Sequence, residues 1–196
     1  LPRVPMLLVA GSPITLHLPL GQEDTVIDVG QTLGIQTPNN LYAEPLILCP
    51  TLEAILNEMD REAIGFARPT EHRYWQTQIE KGTCIGRLYR RGSDTGEIVG
   101  YAYAGTQQQG PLYAKNPSDQ PRIFKHITHL LRQQLKGSPL TLHSPALDYY
   151  AAVAGTNETL LPWLTRCGWR ITFHYLAMSS RPLGQPDRYV GHNPLS

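Results

Sequence analysis

A chain of 196 residues, 41% hydrophobic and 17% charged, holds enough apolar material for one packed domain and a fraction of a second. Its 17 glycines and 17 prolines point to many turns rather than to disorder, and a net charge of +1 supplies no general attraction to nucleic acid or anionic lipid. Cys49, Cys84 and Cys167 have no C-x-x-C spacing, which argues against a disulfide framework and a structural zinc site and suits a reduced compartment. The apolar run at residues 6–10 is far shorter than the ~20 residues that span a bilayer. It also lacks the charged flank and long apolar stretch of a signal peptide, so the expected location is cytoplasmic, with no membrane and no nucleic-acid partner.

In chain order, residues 12–19 read as a strand closed by Pro19, residues 23–33 as a short helix closed by Gly34, and residues 41–48 as a strand. Thr51 and Thr70 are candidate N-caps. Leu52, Ile55, Leu56 and Met59 follow the first at helical spacing, Trp75 and Ile79 follow the second, and the Arg68-Pro69 step separates the two helices. Residues 84–90 and 97–104 read as strands joined by Arg91-Gly-Ser-Asp-Thr-Gly96, which predicts an antiparallel hairpin. Residues 110–115 form a shorter strand that runs into a loop of helix-start residues at 116–120. Behind it Ile123, Phe124, Ile127, Leu130, Leu131 and Leu135 mark one face of a helix. Residues 140–144 read as a strand, 146–167 as mostly helical, 169–178 as a last strand after Gly168, and 183–196 as a tail without periodicity.

An internal repeat runs through this order. Gly11-Ser-Pro-Ile-Thr-Leu-His-Leu-Pro19 and Gly137-Ser-Pro-Leu-Thr-Leu-His-Ser-Pro145 agree at seven of nine positions, and each is followed by a helix-like segment, a glycine and an apolar strand-like run. The economical reading is a tandem duplication in which only the tail of the first copy is present. The predicted class is α/β in the broad sense, α+β, because the hairpin at 91–96 excludes an all-parallel sheet. Ile14, Leu16, Leu18, Leu46 and Leu48 would leave the arm of the first copy apolar. It is therefore expected to pack on the complete unit or on a second chain as a homodimer.

From Glu44 onward the landmarks resemble the GNAT superfamily of N-acetyltransferases. They are Met59-Asp60 with Gly65-Phe-Ala-Arg68, the strand Gly96-Glu-Ile-Val-Gly-Tyr-Ala-Tyr103, the strand Gly110-Pro-Leu-Tyr-Ala114, and Thr165-Arg-Cys-Gly-Trp169. The resemblance implies a mixed, mostly antiparallel sheet flanked by helices. It divides the chain into a partial repeat (1–43), a GNAT-like domain (44–182) and a tail (183–196). It further implies acetyl-CoA as cosubstrate, lying where the fourth and fifth strands splay apart, beside Leu112, Tyr113 and Ala114. The acceptor would be a primary amine of a small molecule or a protein, and no metal would be needed.

One loop departs from the family's pattern. Where the family has a glycine-rich pyrophosphate loop, Lys115-Asn-Pro-Ser-Asp-Gln-Pro-Arg122 has no glycine. Pro117 and Pro121 each remove an N–H donor, Asp119 adds a negative charge, and Arg122 and Lys125 are the cations left to meet a phosphate. For catalysis the resemblance implies a tyrosine as the acid that protonates the leaving thiolate, with Tyr149 and Tyr150 the candidates, and Glu97 or Glu158 as the base. The histidines read as structural: His126 and His129 lie on a polar helix face, and His72 and His174 have no partner at ligand spacing. Two functions remain open: an acetyl-CoA-dependent N-acetyltransferase, or a noncatalytic GNAT-fold module with a degenerate CoA loop that acts in assembly or ligand sensing.

Overall fold

Proline sets the start of the first two helices. α1 (Pro50–Ile64) and α2 (Pro69–Glu80) each carry proline in the first turn, where an N–H would have no intrahelical acceptor. The N-cap positions fall on Cys49 and Arg68 rather than on the expected Thr51 and Thr70. Gly65 ends α1 at φ 86°, a left-handed conformation that favours glycine.

A computed structural model describes residues 3–12, 16, 26–28, 40–106, 108–134, 149–178, 180 and 182–191. Its strands are β1 (Arg3–Gly11), β2 (Val26–Asp28), β3 (Leu41–Pro45), β4 (Cys84–Arg91), β5 (Ile98–Gly105), β6 (Gln109–Ala114), β7 (Tyr149–Ala154), β8 (Arg170–Met178) and β9 (Tyr189–Gly191). α3 (Gln120–Gln134) follows β6, and α4 (Leu160–Arg166) follows β7. The fold is α+β. All the described strands join one sheet in the order β2-β3-β4-β5-β6-β9-β7-β1-β8, antiparallel except for the β2–β3 pair.

Each face of the sheet has its own core. Ile123, Phe124, Ile127 and Leu131 of α3 pack with Trp163 of α4 and Trp169 against Val99, Leu112, Val153 and Val9. Leu56 of α1 and Trp75 of α2 pack on the other face against Leu88, Tyr101, Tyr103, Tyr113 and Tyr189. The stripe read for α3 is the buried one, with Ile123, Phe124, Ile127 and Leu131 fully covered. β1 is paired along both edges, Met6 lying opposite Ala154 of β7 and Tyr175 of β8, and residues 8–11 near its end are buried.

Three expectations are corrected. Within 146–167, the described residues 149–167 are not mostly helical, because Tyr149–Ala154 form β7. Ala151, Ala152, Val153 and Ala154 are fully buried between β9 and β1, and ladder bonds on both sides outweigh a helix preference of less than about 0.7 kcal/mol per residue. Within 23–33, the described residues Val26–Asp28 form strand β2 rather than a helix. Tyr189–Gly191, expected in an unstructured tail, form β9 in the middle of the sheet. The predicted strand at 140–144 and most of that at 12–19 lie outside the described residues.

β9 is short but held from several directions. Tyr189 and Val190 pair with Tyr113 and Leu112 of β6, while Val190 and Gly191 pair with Val153 and Ala152 of β7. The buried amides of Gln120 and Asn157 both donate to the Asp187 carbonyl at 2.8 Å, and the Gln185 N–H donates to the Glu62 carbonyl at 3.0 Å. Gly184 passes so close to α1 that a Cβ there would lie 2.0 Å from the Glu62 carbonyl oxygen. Gly184→Ala should therefore lower the urea midpoint by an amount equivalent to about 1–3 kcal/mol at unchanged m-value. An unshifted midpoint would show that residues 182–191 do not dock on α1.

Candidate functional site

Asp60 lies one turn after Leu56 and three residues before Ala63, so an acid occupies the buried stripe of α1. The break at Pro69 brings Arg68 back over it. The guanidinium grips the carboxylate at two points, Nε to Oδ2 at 3.2 Å and Nη2 to Oδ1 at 3.0 Å. Nη2 also donates to the Tyr101 hydroxyl at 3.0 Å, and Nη1 donates to Glu71 at 2.6 Å and to the Tyr189 hydroxyl. All five N–H groups of Arg68 are thereby engaged. Its plane lies 4.6 Å from the Tyr189 ring centroid, adding a cation–π contact between the helices and β9.

The network continues through α2 into β5. His72, buried, places Nε2 3.0 Å from Asp60 Oδ2 and Nδ1 3.1 Å from the Tyr103 hydroxyl. Because the carboxylate only accepts, Nε2 donates to it. The Tyr101 hydroxyl donates to Asp60 Oδ1, and Trp75 stacks on Tyr103 with ring centroids 5.8 Å apart. Burial pushes the Asp60 carboxyl up, but the hydrogen bond from His72 and the charge of Arg68 together outweigh it and hold Asp60 below its usual 3.8. Burial likewise opposes the charge on Arg68, and the oxygens of Tyr189, Tyr101, Asp60 and Glu71 reverse that, so the guanidinium stays protonated. Beside this cluster, Glu62 accepts from the Tyr113 hydroxyl at 2.8 Å and from Arg188.

These groups clamp α1, α2, β5 and β9 together. In the sequence Asp60 and Arg68 stand as landmarks without a role, and His72 has no partner at ligand spacing. The available signal was a carboxylate on an apolar helical stripe, together with Tyr101 and Tyr103 on one face of a strand.

The predicted site residues scatter. Leu112, Tyr113 and Ala114 are buried on β6, where β9 pairs with Leu112 and Tyr113. Arg122, buried, is ion-paired to Asp119, which also binds Arg91 and is fully enclosed. Lys125 lies half-buried on α3. Tyr149 and Tyr150 stand on strand β7, not on a helix. The Tyr149 ring is buried edge-on to Trp169, its hydroxyl has no hydrogen-bond partner among the described residues, and burial pushes its pKa well above the usual 10. Tyr150 bridges to Gln108, next to the start of β6, whereas Glu97 is an exposed partner of Lys115 just past the end of β6. Tyr149, Tyr150 and Glu97 therefore lie toward opposite ends of the sheet and share no cleft. Glu158, the other carboxylate considered, follows β7 and Asn157, which caps the start of α4 by accepting from the Leu160 N–H at 2.7 Å.

The edge of β6 at Leu112 and Tyr113 is bonded to β9. Pro117–Asp119 form a 3-10 turn in which the Ser118 N–H donates to the Asn116 side chain and the Asp119 N–H to the Asn116 carbonyl. Those N–H groups are bonded within the turn, and the Asp119 carboxylate beside them is buried. Among the described residues no cluster of His, Cys, Asp or Glu could hold a metal, and no helix is long and apolar enough to cross a membrane.

A separate cavity of about 270 Å3 opens on the α1 side of the sheet, next to Arg68 and Tyr189, between the β1–β8 wing and residues 183–191.

No family model matches the chain. No curated protein matches it. Among solved structures, it is similar to the X-ray structure of a Drosophila protein determined as a structural-genomics target. The TM-score is 0.50 and the identity 14%, with 100% of this chain and 52% of that chain covered. The chain thus spans about half the length of that protein, and at this identity the likeness concerns the fold alone.

The buried pair makes stability depend on acid in a defined direction. Since Asp60 is held below 3.8 in the folded state, its contribution is complete above the unfolded pKa and disappears as pH falls through the folded value. Urea unfolding between pH 7 and pH 3 should show stability falling below about pH 4. Asp60→Asn should cost about 3–5 kcal/mol at pH 7 and flatten that acid limb. A variant with the acid limb of the parent would show that Asp60 is not its source.

Proposed function

We propose that this chain is a GNAT-like module that works without acetyl transfer, as a binding unit whose cofactor cleft has been taken over by its own strand. The observation that carries this reading is β9, paired with both β6 and β7 where the resemblance puts the pantetheine arm of acetyl-CoA. Burial of Tyr189 and Val190 favours this arrangement by roughly 1.5–3 kcal/mol per side chain, and the bonds to Asp187, Gln185 and Arg188 add to it. A strand held so firmly is a permanent part of the sheet rather than a loose lid. The tie of Arg122 to Asp119 supports the same reading, because it removes the cation best placed for a pyrophosphate.

The order of elements from β3 to β8 favours a second reading, an acetyl-CoA-dependent N-acetyltransferase acting on an amine once residues 182–191 leave the cleft. Isothermal titration with acetyl-CoA separates the two. The noncatalytic reading expects no heat of binding up to millimolar ligand. A dissociation constant tighter than ~100 μM would overturn it in favour of the transferase.

A further inference from the structure

The β7, β1 and β8 wing is finished differently from the rest of the sheet. α1 and α2 pack on β4, β5 and β6, whereas Val4, Met6, Tyr175 and Ala177 form a small separate cluster with Ala152 and Ala154. The space over that cluster is roofed by Phe66 from the α1–α2 connection and by Leu183, Pro186 and Tyr189, which leaves the cavity of about 270 Å3. Four of its lining residues belong to the segment 183–191, so the cavity exists only because β9 is in place.

Its polar groups define what it can hold. Arg68 reaches the wall, but all five of its N–H groups bond to Asp60, Glu71, Tyr101 and Tyr189. With two carboxylates on one guanidinium, the local charge leans negative, so the field disfavours an anion, and Arg68 has no N–H left to offer one. Two phenols also line the space. The Tyr189 hydroxyl accepts from Arg68, and neither it nor the Tyr175 hydroxyl donates to another described residue. Burial pushes both phenols above their usual 10, so they remain O–H donors at neutral pH.

We infer that this cavity binds a small, uncharged, largely apolar molecule that presents one oxygen acceptor, such as a medium-chain alcohol, ketone or ester. Its lining is mostly aliphatic and aromatic, and its volume is at the small end of ligand pockets, enough for a chain of about eight carbons. The inference rests on the noncatalytic reading in one respect: residues 183–191 must stay docked as a wall.

The test titrates the protein with 1-octanol and, separately, with octanoate, which has the same chain and a carboxylate head. Saturable 1-octanol binding, followed by calorimetry and backbone amide NMR, is expected to shift Met6, Tyr175 and Tyr189. Octanoate is expected to bind at least about tenfold more weakly. Ala177→Phe, which grows into the cavity from edge strand β8, should abolish 1-octanol binding while keeping the melting temperature. Ala177→Leu, a milder filling, serves the same purpose if the phenylalanine does not fold. Equal binding of octanoate, undiminished binding by the filled variants, or no saturable 1-octanol binding would each overturn the proposal. So would a concentration-dependent mass doubling by light scattering that the filled variants remove, because the occupant would then be a second copy. Binding of acetyl-CoA with 1-octanol binding intact would instead sink the noncatalytic reading and leave the cavity standing.

Discussion

A buried guanidinium with five N–H groups needs acceptors in fixed directions around one plane, and most of this structure is arranged to supply them. Asp60 comes from α1, Glu71 from α2, Tyr101 from β5 and Tyr189 from β9. The helix break at Pro69 is what lets Arg68 point back into its own domain. Desolvating such a pair offsets much of its Coulomb attraction, so its main effect is on specificity: misplacing any one of the four elements leaves a buried N–H of the guanidinium without its acceptor. His72 extends the requirement to Tyr103, and Trp75 covers it.

The same plane explains why β9 belongs where it is. Tyr189 gives Arg68 both a hydroxyl and a ring face, while Val190, the next residue, faces the opposite core with Leu112 and Val153. One short strand thus seals two layers. On the reading proposed above, a peptide has replaced a cofactor arm at a strand edge, which is chemically simple because both present amide groups to the same backbone donors and acceptors.

Local signals made much of the fold legible in the sequence. The Arg91–Gly96 turn, the stripe from Ile123 to Leu131 and the Arg68-Pro69 break each act through a few neighbouring residues, and the elements they mark stand within a few positions of where they were read. The failures share a cause. Ala151 to Ala154 and Tyr189 to Gly191 become strands through neighbours distant in sequence, and an alanine run or a proline-rich segment carries no trace of them. The site was harder to read for the same reason. Asp60 and Arg68 are close enough in sequence to suggest a pair, but Tyr189 reaches them only after the whole sheet has formed, and the partners of Arg122 depend on a turn whose geometry composition does not reveal.

That dependence has a kinetic side. Arg3 on β1 lies opposite Met178 on β8, and β9 is the last of the described strands to be made yet sits near the centre of the sheet. Contacts of such high sequence separation pay loop-closure entropy before they yield any burial, which places this topology among slow-folding ones. During synthesis the β4–β5–β6 meander can assemble early, but its inner edge at β6 stays bare until Tyr189–Gly191 arrive. β1, the first of the described strands to be made, must likewise wait for β7 and β8. A nascent chain of this design exposes two unpaired sheet edges until those partners arrive, and it is the kind of substrate on which a chaperone that shields open strands would act.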